Sequence, residues 1–233
     1  MLFGWFYFDW TVLIVLPALI ISIWAQIKVN STFKQYAKVY HHRGLTGADA
    51  ARRILDSHGL QHVRIEHIRG HLTDHYDPRA NVIRLSDSVY GSVSAAAIGV
   101  AAHEAGHAVQ HATGYFPIRV RAAAIPATRF GSMLAIPLFF IGLLLASPAL
   151  LLLGIGLYSF VAFFQLVTLP VEFNASARAI SVLRSSGMLT KEELAASKKV
   201  LTAAALTYVA ALLTSLLTLL RLLVLAGGVN RRR

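Results

Sequence analysis

The sequence predicts a mainly α-helical membrane protein with about four transmembrane helices and a small α+β domain. Of its 233 residues, 56% are hydrophobic and only 14% are charged, which is more apolar than a typical soluble domain. The charges are also uneven, because long stretches carry none and most lie within residues 28–129. The excess of apolar residues and the absence of cysteine exclude a disordered chain, a disulfide-stapled domain and a cysteine-ligated zinc module.

Four apolar runs are long enough to cross the hydrocarbon core of a bilayer, which takes about 20 residues as a helix. The tryptophans Trp5, Trp10 and Trp24 lie at the ends of the first run, as interfacial residues do, and predict a retained anchor rather than a cleaved signal peptide. The second and third runs are predicted to form a helical hairpin. Any single run could instead be a core helix of an apolar domain. The runs are residues 10–27, with an aromatic lead-in at 3–8, then 130–146, 149–169 and 200–225.

The distribution of basic residues predicts the orientation. Lys28, Lys34 and Lys38 directly follow the first run, and the positive-inside rule keeps such residues in the cytoplasm. We therefore expect a multi-pass protein of the cytoplasmic (inner) membrane with residues 28–129 on the cytoplasmic side. Four crossings would export the basic tail at 231–233, so the number of crossings stays open. The net charge of +11 is concentrated beside apolar spans, which favours membrane lipid over nucleic acid as a partner.

The larger polar segment begins with helix and strand signals. The spacing of Thr46 and Asp49 matches a capping box and predicts an Ala-rich helix that ends near Gly59. Residues 63–72 and 81–86 alternate enough to be strands, with turn-forming residues between them. We expect these two strands to form a β-hairpin.

A long Ala-rich helix is predicted at residues 93–112, ending before Gly114. A shorter polar segment, residues 171–199, follows Pro170 and is predicted to open a new helix there. Thr190 and Glu193 form a second capping-box pattern, whose helix should continue into the last apolar run.

A metal-binding motif lies within the Ala-rich helix. His103-Glu104-Ala105-Gly106-His107 matches H-E-x-x-H, and a spacing of one helical turn places both imidazoles on the same face. Two neutral imidazoles, a carboxylate and water are the ligands of a catalytic Zn²⁺ site. Glu104 would then take a proton from the metal-bound water and pass it to the leaving amine.

The third zinc ligand must come from elsewhere in the chain. His111 continues the row of histidines, but eight residues of straight helix rise about 12 Å, too far for a shared ion. Glu172 is the better candidate, since it is the only acidic residue between Glu104 and Glu192. The alternative is that Glu172 simply stabilises a helix N-terminus.

Three segments resemble the YugP-type putative neutral zinc metallopeptidases of bacterial membranes. They are HEAGHAVQH, GHLTDHYDPR and LVTLPVEFNASARAI, in the family's order, and the resemblance covers nearly the whole chain. It implies a membrane zinc peptidase with a zincin-like catalytic domain. A wider similarity is to the gluzincin proteases, which include HtpX and the prenyl-protein endopeptidases.

In those gluzincins a second helix carries the pattern E-F-x-A-D, in which the aspartate orients the first zinc histidine. Residues 172–176 read Glu-Phe-Asn-Ala-Ser, so Ser176 stands at the aspartate position and cannot supply its charge. Asn174, or an acidic residue elsewhere in the chain, could orient the histidine in its place. The similarity also implies that strand 81–86 lies along the cleft and pairs with an extended peptide substrate.

A second polar cluster surrounds His71 and His75. On an extended strand these two histidines would be about 13 Å apart, which favours turn and surface residues over a metal site. One donor could still stabilise the oxyanion formed during attack on a peptide carbonyl. The candidates are His75, Tyr76, Arg178 and Tyr208, and the sequence does not rank them.

The function that these features favour is a membrane-anchored zinc metalloendopeptidase acting on membrane or misfolded proteins, with proteins or peptides as substrates. The alternatives are a site-2-type intramembrane protease and a noncatalytic zinc-binding membrane adaptor or chaperone. Substrate specificity and oligomeric state stay open. The predicted division is an anchor at 1–27, the zincin-like catalytic domain at 28–129, a transmembrane hairpin at 130–170, a second catalytic segment at 171–199, and a C-terminal transmembrane helix with its basic tail at 200–233.

Overall fold

The computed structural model describes residues 9–230, except for the side chains of residues 229 and 230. The predictions made for residues 3–8 and 231–233 lie outside this range. Six helices and three strands in the described range confirm a mainly α protein with a small α+β part. In chain order they are α1 (Val12–Tyr36), α2 (Gly47–Ser57), β1 (Arg64–Ile68), β2 (His75–Asp77), β3 (Val82–Ser86), α3 (Ala95–Ala112), α4 (Phe116–Leu144), α5 (Pro148–Ser185) and α6 (Lys191–Asn230).

The four long helices α1, α4, α5 and α6 are each long and apolar enough to cross a membrane. The chain divides into two compact units, and each of these helices contributes residues to both. The membrane unit comprises the described residues of Met1–Trp24, Arg121–Val167 and Val209–Arg233. The α+β unit comprises Ala25–Val120 and Thr168–Tyr208.

Small residues bring α4 and α5 together within the membrane unit. A Cβ atom added at Gly131 would lie 2.8 Å from the Leu157 carbonyl oxygen, and one added at Gly154 would lie 2.8 Å from Cβ of Phe139. Such close backbone approach is typical of helix pairs in membranes. The two helices are joined by residues 145–147, which confirms the predicted hairpin.

The prediction that a new helix opens after Pro170 is wrong, because α5 runs without interruption through this residue. Proline within a long apolar helix is tolerated when neighbouring groups satisfy the backbone carbonyl that it leaves free. Glu172 therefore lies in the interior of α5. A role for its charge at a helix N-terminus is excluded by this position.

The sheet differs from the predicted one in its pairing. Its strand order is β1-β3-β2, with β1 parallel to β3 and β2 antiparallel to β3. The hairpin therefore joins β2 to β3, and residues 63–72 are not its first strand. The reason lies in burial: Val82, Ile83 and Leu85 are all fully buried, as expected of a central strand with neighbours on both sides, whereas the short polar β2 forms an edge.

The helix α3 lies at the centre of the α+β unit. Its N-terminus is capped by the Ser94 hydroxyl, which accepts a hydrogen bond from the Ala97 N–H at 3.2 Å, and its alanines pack among the buried residues of the unit's core. The predicted capping box of α2 is confirmed, with Thr46 and Asp49 bonding each other's backbone N–H. The Thr190 and Glu193 pair at the start of α6 is confirmed in the same way.

Candidate metal centre

The two histidines of the motif meet on one face of α3. Their Nε2 atoms are 3.1 Å apart, and their rings are nearly perpendicular, with centroids 4.6 Å apart. His107 is buried, and His103 keeps slightly more solvent exposure. This is the placement that the one-turn spacing predicts.

Glu172 of α5 completes the cluster. Its Oε2 atom lies 3.2 Å from Nε2 of His103 and 3.4 Å from Nε2 of His107, and its side chain is almost fully buried. The approach of the two helices is fixed nearby, since a Cβ added at Gly106 would lie only 2.7 Å from the Ala175 carbonyl oxygen. A glycine at this point therefore lets α5 come close enough to α3 for the carboxylate to reach both histidines.

The spacing of these three donor atoms fits a zinc ion. Ligands at about 2.0–2.1 Å in tetrahedral directions lie about 3.3 Å from one another, and the observed donor separations are 3.1, 3.2 and 3.4 Å. Two imidazoles and one carboxylate leave a fourth position for water, as in catalytic zinc sites. The residues present therefore match the ion in both chemistry and geometry.

Ser176 orients His103. Its Oγ atom lies 3.0 Å from Nδ1 of His103, one turn of α5 beyond Glu172. The hydroxyl oxygen can accept the Nδ1–H bond and so leave the Nε2 lone pair directed at the metal position. Ser176 thus occupies the place of the expected aspartate without its charge. Asn174, the other candidate for this role, instead accepts hydrogen bonds from Gln110 and Arg178.

His107 is held by a residue that the sequence analysis did not identify. The Gln110 carbonyl Oε1 lies 3.0 Å from Nδ1 of His107, while its Nε2 donates to the Val171 carbonyl at 2.8 Å and to Asn174 Oδ1 at 3.0 Å. Because a backbone carbonyl can only accept, the amide orientation of Gln110 is determined. Its Oε1 must then accept from His107, which fixes the Nδ1–H tautomer and frees Nε2 for a metal.

The signal for Gln110 was present but weak. It lies three residues after His107 on the buried side of an Ala-rich helix and is fully buried. A buried polar side chain requires partners, but one of the partners of Gln110 is Val171 of α5, which lies 61 residues further along the chain. The sequence alone does not reveal that contact.

Glu104 projects into the same region of the α+β unit. It is only 8% exposed, and its carboxylate makes no hydrogen bond to another residue of the described chain. The neighbouring acid is Asp74, which accepts hydrogen bonds from the Ser86 N–H at 2.7 Å and from the Ser86 hydroxyl. Burial raises the pKa of Asp74, the bonds from Ser86 oppose this, and the negative charge of Glu104 adds to the rise.

Other predicted residues lie in different surroundings. His111 takes no part in the metal cluster, and its ring packs 5.5 Å from that of Tyr76. The Arg178 guanidinium donates to Asn174 Oδ1 at 2.8 Å, and His75 lies on β2 with Nδ1 at 3.0 Å from the Thr73 carbonyl. None of these contacts selects an oxyanion donor from His75, Tyr76, Arg178 and Tyr208.

A second group of potential ligands, His41, His42 and Glu193, is explained without a metal. Nε2 of His41 lies 2.8 Å from the Met188 carbonyl and must donate to it, while Nδ1 accepts from the Leu45 N–H at 3.0 Å. Both ring nitrogens of His41 are therefore occupied by the backbone. Glu193 is held by the backbone N–H groups of His42 and Thr190, so this cluster fastens α6 to the loop after α1.

Comparison with known proteins identifies the family of the chain. A family model described as "putative neutral zinc metallopeptidase" matches residues 11–227. The chain belongs to this family. It is also 51% identical over 210 residues to a putative membrane protease YugP of Bacillus subtilis (strain 168), an alignment that covers 90% of this chain and 93% of that protein. No solved structure matches the chain.

Proposed function

We propose that the protein is a membrane-anchored zinc metalloendopeptidase of the gluzincin type, with His103, His107 and Glu172 as zinc ligands and Glu104 as the catalytic acid and base. The observation that carries the proposal is the convergence of three donor atoms within 3.4 Å, although His103 of α3 and Glu172 of α5 lie 69 residues apart along the chain. Family membership supports a peptidase.

The chemistry follows from the residues that surround the cluster. Bound zinc would polarise a water molecule and lower its pKa to about 7. The Glu104 carboxylate, which has no other hydrogen bond within the described chain, would accept a proton from the attacking water. Glu104 would then deliver this proton to the leaving amine as the peptide bond breaks.

The sheet offers an edge for substrate binding, although the strand differs from the expected one. Strand β3 is paired on both sides, so it has no free edge for the extended peptide predicted to pair with it. Strand β2 is the outer strand next to α3, and its Tyr76 packs against His111 of α3. We assign substrate pairing to β2, whose backbone would bind an extended segment irrespective of its side chains.

The location of the reaction is also part of the proposal. His103 precedes the α4–α5 hairpin and Glu172 follows it, and two crossings return a chain to the same side of a membrane. The lysines after the first apolar run support the cytoplasmic face of the inner membrane. Membrane proteins and misfolded proteins are the substrates that such a position favours.

The two alternative functions receive less support. The helix α3 is not among the candidate membrane spans of the described chain, whereas a site-2-type protease requires its motif within such a span. A noncatalytic zinc adaptor leaves Glu104 without a role. A carboxylate next to two metal-binding histidines in a largely buried site favours proton transfer.

The test compares three variants of the purified full-length protein for zinc content and for cleavage of casein and of a membrane-protein substrate. Glu104→Gln is expected to retain zinc and to lose about 10²–10⁴-fold in cleavage rate, whereas Glu172→Gln should lose zinc and cleavage together. Glu192→Gln changes an exposed glutamate of α6 and serves as the matched control. Wild-type cleavage rates in zinc-loaded Glu104→Gln would contradict the proposed catalytic role, and a zinc-loaded wild type that cleaves neither substrate would favour the adaptor.

A further inference from the structure

A cavity of the α+β unit, separate from the metal cluster, lies between α1 and α6 and has a volume of about 470 Å³. This size is in the range of small-molecule sites and is too small for a folded partner. None of the zinc-cluster residues lines it. The lining residues that matter here are Lys28, Tyr36, Lys198, Lys199, Thr202 and Leu206.

The cavity is positively charged. Three of the chain's six lysines line it, and no aspartate or glutamate is found among its lining residues in the described chain. The ammonium group of Lys199 lies 5.4 Å from the centre of the Tyr36 ring, a cation–π contact that holds one of the charges at the cavity wall. Glu193, in the first turn of α6, is bound to the backbone N–H groups of Thr190 and His42. The lysines therefore lack a partner of opposite charge within the cavity.

The cavity lies where each of the two helices passes from an apolar to a charged stretch of sequence. Lys28 is the first charged residue after the apolar run 10–27, and Lys199 is followed by no charged residue until Arg221. Leu206 and Ala203 lie on the apolar side of that boundary in α6, with Thr202 next to them. A ligand in the cavity would thus meet positive charge at one end and hydrocarbon at the other.

We propose that this cavity binds the headgroup of an anionic phospholipid, with the lysines on its phosphate and the apolar residues against its glycerol and the first methylenes of its chains. Basic pockets between membrane helices suit anionic headgroups. A zwitterionic lipid carries its own cation and would leave the lysines uncompensated. The inference is independent of the proposed peptidase activity, because it uses none of the residues assigned to the reaction.

The experiment is native mass spectrometry of the full-length protein in neutral detergent, mixed with equal amounts of phosphatidylglycerol and phosphatidylcholine that have identical chains. The wild type is expected to retain phosphatidylglycerol preferentially. Lysine near a lipid surface contributes about 1 kcal/mol, so the triple variant Lys28→Gln/Lys198→Gln/Lys199→Gln should lower the affinity for phosphatidylglycerol by about 100-fold. Its affinity for phosphatidylcholine should change little.

The other three lysines of the chain provide a matched control. Lys34→Gln/Lys38→Gln/Lys191→Gln removes the same charge from outside the cavity and should keep the preference. Ala195→Trp changes an exposed residue of the cavity wall, leaves every lysine in place, and should lower binding by filling the space. Far-ultraviolet circular dichroism and thermal unfolding of each variant verify that the protein is folded.

Three results would overturn the inference. Equal losses in the two triple variants would mean that only the overall charge attracts the lipid. Undiminished binding in folded Ala195→Trp would mean that the lipid lies outside the cavity. Displacement of the lipid by millimolar glycerol 3-phosphate would mean that the site recognises a free phosphate ester rather than a membrane lipid.

Discussion

Replacing Gly106 by alanine tests whether the close approach of α3 and α5 determines the metal site. The added Cβ would lie 2.7 Å from the Ala175 carbonyl oxygen and 3.3 Å from its carbonyl carbon. Ordinary contact requires about 0.7 Å more. The atom in contact is backbone in the interior of a long helix, so it cannot rotate away as a side chain could. The helices themselves must separate.

The magnitude follows from two opposing effects. Alanine in place of a helical glycine stabilises by about 1 kcal/mol, whereas overpacking of this kind costs about 1–3 kcal/mol. Because the clash is with backbone, we expect a net loss of about 1–2 kcal/mol in the free energy of unfolding. Metal ligands tolerate displacements of only about 0.2 Å. A shift of Glu172 relative to His103 and His107 should therefore lower zinc affinity by about 10–100-fold.

The assay is chelator competition for zinc, combined with thermal unfolding of the metal-free protein. Gly156→Ala is the matched control, because Gly156 likewise lies within a helix, α5, and a Cβ there would meet nothing within 4 Å. It should leave zinc affinity unchanged and stability equal or slightly higher. If Gly106→Ala binds zinc as tightly as the wild type and unfolds at the same temperature, the contact between Gly106 and Ala175 does not set the site.

Two further predictions concern the histidines. Gln110→Leu leaves the Nδ1–H of His107 buried without its partner, which should cost about 1–3 kcal/mol of stability and about 10–100-fold in zinc affinity. Gln110→Glu keeps an acceptor and should lose less affinity. Equal zinc affinities in the wild type and both variants would refute the tautomer argument. The last prediction is a pH dependence. Burial lowers the pKa of His107, but the hydrogen bond and charge of Glu172, together with the charge of Glu104, raise it by more, so the net shift is upward. A raised pKa stabilises the metal-free fold below the unfolded pKa, and this stability is lost as the pH rises through the folded pKa. Zinc competes with the same proton, so the rise in melting temperature on adding zinc should grow from about pH 6 to about pH 8, and a constant or falling difference across that range would contradict the proton competition.

The parts of the fold that the sequence predicted are those with local signals. The capping boxes of α2 and α6 need only residues three positions apart, and both are present. The metal motif is similarly local, because one helical turn is enough to bring His103 and His107 together. Glu172 was predicted for a different reason, as the only acid in a long stretch of the chain.

The parts that the sequence did not predict depend on contacts between distant segments. Strand pairing is an example: β1 and β3 pair in parallel, and β2 pairs with β3 at the other edge. Local alternation in residues 63–72 and 81–86 contains no information about whether these two strands run parallel or antiparallel. The predicted helix break at Pro170 was wrong for the same reason, because the groups that surround a proline decide whether it ends a helix.

The orientation of the proposed zinc ligands shows how composition and tertiary contact combine. The many alanines of α3 predict a helix, and their short side chains also let α5 approach closely. The Ala175 backbone lies against Gly106, and Ala179, one turn further along α5, packs in the same core as the alanines of α3. Only at that distance can the Val171 carbonyl orient Gln110, and only then does Gln110 fix the tautomer of His107. On the other side of the cluster, Ser176 reaches His103 from the same helix. A larger residue on either helix face would therefore disturb both histidines at once, although it would touch neither.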